Sequence, residues 1–184
     1  MTFRYSYRVR FSDTDGAGVV YFSRFLEVCH GAYEASLAAS GVNLQRFFSG
    51  DWQADSEGID AINQSAPLAF PITETQCKFY SPCFCGDVLT ITLAAHLIRE
   101  SEFEVNYQWQ RKTDGTNTGI IRPSGMATTR HVCVAVGNGR SRRRCPLPPA
   151  MHHWLSFVAG ESAGKSAEKS AGEFSGGTSE VSPS

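Results

Sequence analysis

The first residues of the chain alternate between apolar and polar side chains. In TFRYSYRVRF, residues 2–11, every second position from Phe3 to Phe11 is apolar, and the positions between them hold arginines and one serine. Successive side chains of a β-strand point to opposite faces, so this pattern predicts a half-buried strand.

The spacing of apolar residues changes from two to three or four at Val19. Phe22, Phe25, Cys29, Tyr33 and Leu37 share one face at this spacing, and Gly41 is a suitable residue for the end of a helix. The segment is therefore predicted to form an amphipathic helix of about six turns.

Four further strands and a short helix are predicted after the long helix. The strands are expected at residues 72–79, 88–98, 103–110 and 126–136, and the helix after the prolines of 146–158. The short links at 86–87 and 99–101 favour an antiparallel meander. One antiparallel sheet with a long helix on one face is an α+β arrangement. Its other face is expected to carry aromatic side chains, which dimerisation would cover.

Two segments lack this apolar periodicity. The stretch from Phe47 to Pro71 is polar and reads as a long connector, with an insertion at about 50–67. The last residues are nearly all Gly, Ser, Ala, Glu and Lys, which predicts a disordered tail over 159–184. The folded domain is expected to span residues 1–158.

Composition narrows the choice of function. The 184 residues are 41% hydrophobic and 19% charged, enough for one core, and the net charge of -1 gives no argument for a nucleic acid partner. No apolar run approaches the roughly 18 residues of a membrane span, and the N-terminus lacks the apolar core of a signal peptide. We therefore expect a cytoplasmic protein that does not enter the membrane. The six cysteines are interpreted as thiols, and their spacing predicts no metal site.

The strand and the helix meet in FSDTDGAGVVYF, residues 11–22. Its glycines allow a tight turn, and the beginning helix leaves N–H groups at about Val20 to Phe22 without helical partners. Such groups form an oxyanion site, beside which a carboxylate could attack a carbonyl or deprotonate a water molecule. The same residues also suit an ordinary helix cap or turn.

Residues 8–37, RVRFSDTDGAGVVYFSRFLEVCHGAYEASL, resemble the signature of the hotdog-fold acyl-CoA thioesterases of the 4-hydroxybenzoyl-CoA thioesterase type. Within that group they are most similar to the cyanobacterial and plastid-type 1,4-dihydroxy-2-naphthoyl-CoA hydrolases of phylloquinone biosynthesis. FYSPCFCGDVL (79–89), RHVCVA (130–135) and PLPP (146–149) extend the resemblance. It implies a hotdog fold, in which an antiparallel sheet wraps one long central helix, and hydrolysis of an acyl-CoA thioester without a cofactor.

The resemblance also implies roles for individual residues. Asp15 matches the catalytic carboxylate, as nucleophile or general base, and the backbone donor to the thioester carbonyl falls on Phe22 or Tyr21, with Phe22 preferred. Related bacterial enzymes often carry His where this chain has Phe22. Asp13 is then a turn or cap residue, and an aromatic acyl group is implied.

Three residues, one in the corner and two outside it, are further candidates for substrate binding. Gly18, Arg130 and His131 are expected near the substrate, and the arginines of GRSRRR (139–144) could meet the CoA phosphates. The aromatic residues expected to suit a flat acyl group are Tyr21, Phe22, Phe25, Tyr33, Phe79 and Tyr80.

Three other interpretations stay open. One is a general or aliphatic acyl-CoA thioesterase of the same fold, and another is a non-catalytic acyl-CoA binding module. The third is a helix-on-sheet interaction domain, for which the acidic corner would be incidental. A homodimer or homotetramer is expected, because the corner is open between a loop and a helix start.

Overall fold

A computed structural model describes residues 2–49, 67–112, 123–137 and 141–159. The predicted insertion (50–67) and tail (159–184) lie outside the described residues except at Pro67 and Ala159. The helices are α1 (Phe22–Ala39), α2 (Leu44–Ser49) and α3 (Pro149–Val158), with a short 3-10 helix at Phe11–Asp13. The strands are β1 (Phe3–Arg8), β2 (Leu68–Ala69), β3 (Ile72–Phe79), β4 (Val88–Arg99), β5 (Glu102–Arg111), β6 (Gly125–Val132), β7 (Val134–Val136) and β8 (Arg142–Arg144).

The strands form two antiparallel sheets. The larger has the order β1-β4-β5-β6-β3, and the smaller has the order β2-β7-β8. The long helix α1 packs on the inner face of the larger sheet, so the predicted α+β arrangement is confirmed. The predicted meander is only partly right. Strands β4 and β5 form the expected hairpin, but the 86–87 link joins strands that do not pair, because β1 occupies the place beside β4 and β3 pairs with β6.

Helix α1 supplies most of the helical side of the core. Phe25, Cys29, Tyr33 and Leu37 are buried, in agreement with the predicted face, and the Phe25 ring stacks on Trp109 with centroids 4.8 Å apart. As predicted, Gly41 follows the end of the helix, two residues after Ala39, and its φ of 91° favours glycine.

Two backbone bonds close the C-terminal end of α1. The Gly41 N–H donates to the Ala38 carbonyl and the Val42 N–H to the Leu37 carbonyl, a Schellman motif that satisfies two of the last helical carbonyls. The apolar periodicity and the glycine therefore located this end of the helix correctly.

The outer face of the larger sheet differs from the sequence expectation. Its side chains are mainly polar, and include Arg4, Ser6, Arg8, Thr90, Thr92, Asn106, Gln108, Thr128 and Arg130. The prediction of an aromatic outer face is therefore wrong, because the aromatic residues of β1 and β5 all point towards α1. Exposed apolar side chains occur at and near the two ends of β3 and around the start of α1, and include Phe22, Ile72, Phe79, Tyr80 and Phe84.

The short helix predicted after the prolines is α3, and it closes one end of the core. Met151, Trp154, Leu155 and Val158 are buried, and the Trp154 indole donates a hydrogen bond of 2.9 Å to the buried Ser36 hydroxyl. This bond satisfies two polar groups that burial would otherwise leave unpaired. None of the helices in the described ranges has the length and apolar character that crossing a bilayer requires.

Candidate active site

The DTDGAG segment forms a tight antiparallel turn between the 3-10 helix and α1. The Asp15 N–H donates to the Val19 carbonyl and the Gly18 N–H to the Asp15 carbonyl, each at 2.9 Å, while Thr14 and Val20 pair beyond them. Gly18 has φ of 77°, the left-handed conformation that this kind of turn requires after its central residues. The conformation of the turn therefore explains Gly18 without a contact to substrate, and its predicted role in binding stays a prediction.

Asp15 presents its carboxylate to solvent from this turn. The residue is exposed, and its Oδ1 accepts a hydrogen bond of 2.8 Å from the Ala17 N–H. Among the described residues its Oδ2 has no partner. A carboxylate held by one local bond, with one oxygen free, is available to attack a bound group or to hold a water molecule.

Asp13 has the opposite environment. It is 1% exposed, and its Oδ2 accepts hydrogen bonds from the Tyr7 hydroxyl and the Arg10 N–H, both at 2.7 Å. Its Oδ1 lies 3.2 Å from Nη2 of Arg24 but has no well-directed hydrogen bond, so that contact is mainly electrostatic. Burial by itself would raise the pKa of Asp13, but the bonds from Arg10 and Tyr7 and the charge of Arg24 lower it below the ordinary value. Its side chain caps the 3-10 helix and not α1.

The start of α1 offers fewer free donors than the sequence suggested. The Val20 N–H donates to the Cys83 carbonyl at 2.9 Å, and the Tyr21 N–H donates to the Asp13 carbonyl at 2.8 Å. Because the Tyr21 N–H is already paired, the structure favours Phe22 as the carbonyl donor, and the assignment to either residue stays a prediction. Phe22 is the first helical residue, and its N–H has no acceptor within the part of the chain that the structure describes.

The two candidates on β6 point to opposite faces of the sheet. His131 is 1% exposed and lies in the core, where Nε2 is 2.9 Å from the Thr129 hydroxyl and Nδ1 is 3.3 Å from the Phe70 carbonyl. Burial lowers the pKa of His131 to about 4. Arg130 lies on the outer face between Glu74 (3.0 Å) and Glu104 (3.2 Å). Neither set of contacts involves the corner, and a role of either residue in substrate binding stays a prediction.

Three of the four arginines considered for CoA phosphates lie together in β8. Arg142, Arg143 and Arg144 form β8 and are exposed, and Arg144 forms an ion pair with Glu102. Arg140 lies outside the described residues. A phosphate contact at β8 therefore stays a prediction.

The aromatic candidates divide into core and surface groups. Tyr33 is buried at the centre of the core, between the rings of Trp154 and His131. Phe25 is buried too, but its ring centroid lies 5.3 Å from that of Phe79, which is half exposed at the end of β3. Phe22, one turn before Phe25, is 59% exposed. An aromatic surface thus extends from the start of α1 towards β3.

Sequence reasoning missed two residues of the corner. Tyr7 and Arg24 both contact the Asp13 carboxylate, one from β1 and one from the first turn of α1. Strand alternation correctly indicated that Tyr7 faces inward. The sequence carries no signal for Arg24, because its contact depends on how the turn brings α1 back beside the 3-10 helix.

Known proteins share both the sequence and the fold. The thioesterase-like superfamily profile matches residues 9–155. The 1,4-dihydroxy-2-naphthoyl-CoA hydrolase of Trichodesmium erythraeum is 40% identical over 155 residues, covering 84% of this chain and 96% of that protein. The protein of the same name from Gloeothece citriformis is 40% identical over 150 residues, covering 82% of this chain and 89% of its own length.

A solved structure agrees with these relatives. The crystal structure of a 1,4-dihydroxy-2-naphthoyl-CoA thioesterase from Synechocystis has a TM-score of 0.67 and 29% identity, and the match covers 86% of this chain and 98% of that one. A 4-hydroxybenzoyl-CoA thioesterase complex, at 18% identity and a TM-score of 0.64, shares the fold. The family match spans most of the chain and includes the corner with Asp15. The chain belongs to the thioesterase-like superfamily and has the hotdog fold of its thioesterases.

Proposed function

We propose that this protein hydrolyses an acyl-CoA thioester, and that its substrate is 1,4-dihydroxy-2-naphthoyl-CoA. The observation that carries the proposal is the corner itself, where an exposed Asp15 and a Phe22 N–H with no acceptor among the described residues lie at the same end of α1. The relatives with this name align over more than four-fifths of the chain. The acid released would serve phylloquinone biosynthesis.

In the proposed reaction, the Phe22 N–H and the Asp15 carboxylate have different roles. The thioester carbonyl oxygen accepts a hydrogen bond from the Phe22 N–H, which stabilises the negative charge that develops on this oxygen. Asp15 attacks the carbonyl carbon to give an acyl-enzyme anhydride and a CoA thiolate, or removes a proton from the water that attacks. Because the donor is a backbone N–H, the absence of the histidine found in related enzymes does not remove it.

Asp13 is unsuited to the reactive role. Its carboxylate is buried, its Oδ2 accepts two hydrogen bonds, and its Oδ1 faces the Arg24 guanidinium and not solvent. An engaged and buried carboxylate would lose these interactions on attacking a substrate. This contrast supports Asp15, two residues further on, as the reactive acid.

The aromatic surface fits a flat acyl group. Phe22 and Phe79 are exposed on either side of the buried Phe25, and Phe25 rests on Trp109. A bicyclic aromatic acid placed here would bury area and stack, each contact contributing about 1 kcal/mol. An acetyl group is too small to gain these contacts.

A second copy of the chain is proposed to cover β3. This strand is at the edge of the larger sheet, and its exposed apolar side chains lie at its two ends, at Ile72 and Phe79, with Tyr80 just beyond it. A long edge strand with apolar side chains favours pairing with another strand. A homodimer through this edge would also close the aromatic surface beside the corner, and such dimers could pair further into a tetramer.

An assay of CoA release separates the enzyme from a binding module. Free thiol is measured with a chromogenic thiol reagent after 1,4-dihydroxy-2-naphthoyl-CoA is added to a small amount of protein. An enzyme releases many equivalents of CoA per protein chain. A binding module saturates at one equivalent of bound ligand and releases no CoA, and that outcome would contradict the proposal.

A further inference from the structure

The Asp13 carboxylate joins three separate parts of the corner. The Tyr7 hydroxyl reaches it from β1, the Arg10 N–H from the segment before the 3-10 helix, and Arg24 from the first turn of α1. In addition, the Asp13 carbonyl accepts the N–H of Tyr21, the residue immediately before α1. One buried residue therefore fixes the start of α1 relative to the end of β1.

The turn that carries Asp15 is held much less firmly. The Asp15 side chain has one local bond, to the Ala17 N–H, and the cross-turn bonds hold only its backbone. Gly16 and Gly18 meet no atom within 4 Å of where a Cβ would lie, so the turn is open on that side. The end of the turn is held by the Val20 N–H bond to the Cys83 carbonyl, and its orientation relative to Phe22 also depends on the flanking residues that Asp13 joins.

We propose that Tyr7, Asp13 and Arg24 form a positioning unit that sets the geometry between the Asp15 carboxylate and the Phe22 N–H. The inference rests on the hydrolytic function proposed above. Reacting groups must be held within about 0.5 Å of their productive positions, and residues behind them supply that precision. The unit contacts no reacting atom and acts through Asp15 and Phe22.

The buried position of the unit suits this role. The Asp13 side chain is 2% exposed, whereas that of Arg24 is 36% exposed, so the ion pair is shielded from water on its acidic side. A shielded pair is screened less by salt than a surface pair. The hydrogen bonds and the charge of Arg24 also keep the pKa of Asp13 below its ordinary value, although burial opposes this, so the carboxylate is ionised at neutral pH.

Arg24 allows a matched set of variants. Its guanidinium contacts both Asp13, on the buried side, and Glu27, whose side chain is 60% exposed. Arg24→Gln removes the charge beside Asp13, and Arg24→Lys retains it. Glu27→Gln disturbs Arg24 only from the solvent side and serves as the control. Tyr7→Phe removes the hydroxyl that donates to Asp13 and tests the second member of the unit independently.

The test is steady-state hydrolysis of 1,4-dihydroxy-2-naphthoyl-CoA, together with the affinity for an unreactive thioether analogue of it. Arg24→Gln is expected to lower kcat about tenfold, with KM and analogue affinity within about twofold of wild type. In Arg24→Lys, kcat should be within about threefold of the wild-type value. Tyr7→Phe should lower kcat about threefold relative to wild type, and Glu27→Gln should leave kcat unchanged. In Arg24→Gln the Tyr21 N–H should also exchange faster with deuterated solvent, because its acceptor is less firmly held.

Other results would overturn the inference. A lower melting temperature with unchanged kcat in Arg24→Gln would show a purely structural role. A raised KM with unchanged kcat would show that Arg24 binds the substrate directly. If wild type releases no CoA, the hydrolytic function fails and this inference fails with it. If wild type is active and Arg24→Gln keeps its kcat, only the positioning role is lost.

Discussion

The imidazole Nε2 of His131 lies 2.9 Å from the hydroxyl of Thr129, in the core between the sheet and α1. The other ring nitrogen faces the Phe70 carbonyl, which can only accept, so Nδ1 carries the proton and Nε2 accepts from Thr129. The Tyr107 hydroxyl, 3.2 Å from the Thr129 hydroxyl, donates to it in turn. The buried histidine is therefore neutral and fully hydrogen-bonded.

This arrangement predicts a loss of stability in mild acid. Burial lowers the pKa of His131 from 6.5 to about 4 in the folded protein. Below pH 6.5, His131 binds a proton in the unfolded chain but stays neutral in the folded protein. The free energy of unfolding therefore decreases as the pH falls, until about pH 4. The loss should total about 3 kcal/mol over that interval.

Urea unfolding at several values between pH 7.5 and pH 4.5 measures the effect. The free energy of unfolding should depend much less on pH in His131→Gln, which is less stable but has no imidazole to titrate at this position. His153→Gln, an exposed position on α3, should retain the wild-type slope. Equal slopes in wild type and His131→Gln would show that His131 is not the group responsible.

Cys133 and Cys145 are expected to form a disulfide under mild oxidation. Their sulfur atoms lie 3.4 Å apart, and the Cys145 N–H donates to the Cys133 carbonyl, so the residues are directly opposite at the end of β7 and β8. Opposite residues of this kind have Cα atoms about 5.5 Å apart, within the range of a disulfide. Burial raises the pKa of the Cys133 thiol, which should make the reaction slow at neutral pH.

Treatment with diamide, which takes up the two thiol hydrogens, followed by peptide mapping under non-reducing conditions tests this pairing. The expected product is a Cys133–Cys145 cross-linked peptide, two hydrogens lighter than the two peptides together. Cys145→Ser should abolish it. Preferential pairing that involves Cys83 or Cys85 would contradict the expectation.

Asp15→Asn should abolish most hydrolysis without unfolding the protein. The side chain is exposed and accepts a single local bond, which an amide oxygen can also accept. We expect kcat to fall at least about a hundredfold, the scale of losing an essential acid/base or nucleophile, with a nearly unchanged melting temperature. Glu100→Gln, at the exposed turn between β4 and β5, is the control and should keep full activity. A larger loss of kcat in Asp13→Asn than in Asp15→Asn would reverse the roles proposed for the two acids.

The dimer prediction concerns the β3 edge. Ile72→Glu places a charge on an exposed apolar position of this strand and should shift the protein towards monomers with lower activity. Ser6→Glu, on the opposite edge strand β1, should leave the mass unchanged. Light scattering during size-exclusion chromatography gives both masses. A wild-type monomer with full activity would refute the need for a neighbour.

The local sequence pattern located most elements but not their partners. Alternation identified β1, and the apolar periodicity with Gly41 identified α1 and its end. The helix begins at Phe22 and not at Val19, because Val19 and Val20 pair with Phe84 and Thr14 and are held in extended form. The strand β8 consists of three arginines and carries no apolar pattern, so only its pairing with β7 defines it.

Only those features of the site that depend on residues close together in the sequence could be predicted. The turn around Asp15 and the approximate start of α1, to within three residues, could be predicted from glycines and helix periodicity, both of which act within a few residues. The occupation of the Tyr21 N–H, the burial of Asp13 and its pairing with Arg24 all depend on how the chain folds back at the corner. The inward position of His131 follows from strand alternation, but its hydrogen bond to Phe70 joins segments 61 residues apart.

Relative turnover of three thioesters tests the proposed function most directly. In one assay of CoA release, kcat/KM is measured for 1,4-dihydroxy-2-naphthoyl-CoA, palmitoyl-CoA and acetyl-CoA. The aromatic substrate should exceed each of the others by at least about a hundredfold, equivalent to roughly 2.7 kcal/mol in transition-state binding. Equal or greater activity on palmitoyl-CoA would contradict the proposed substrate and indicate a general acyl-CoA thioesterase that uses the same Asp15 chemistry.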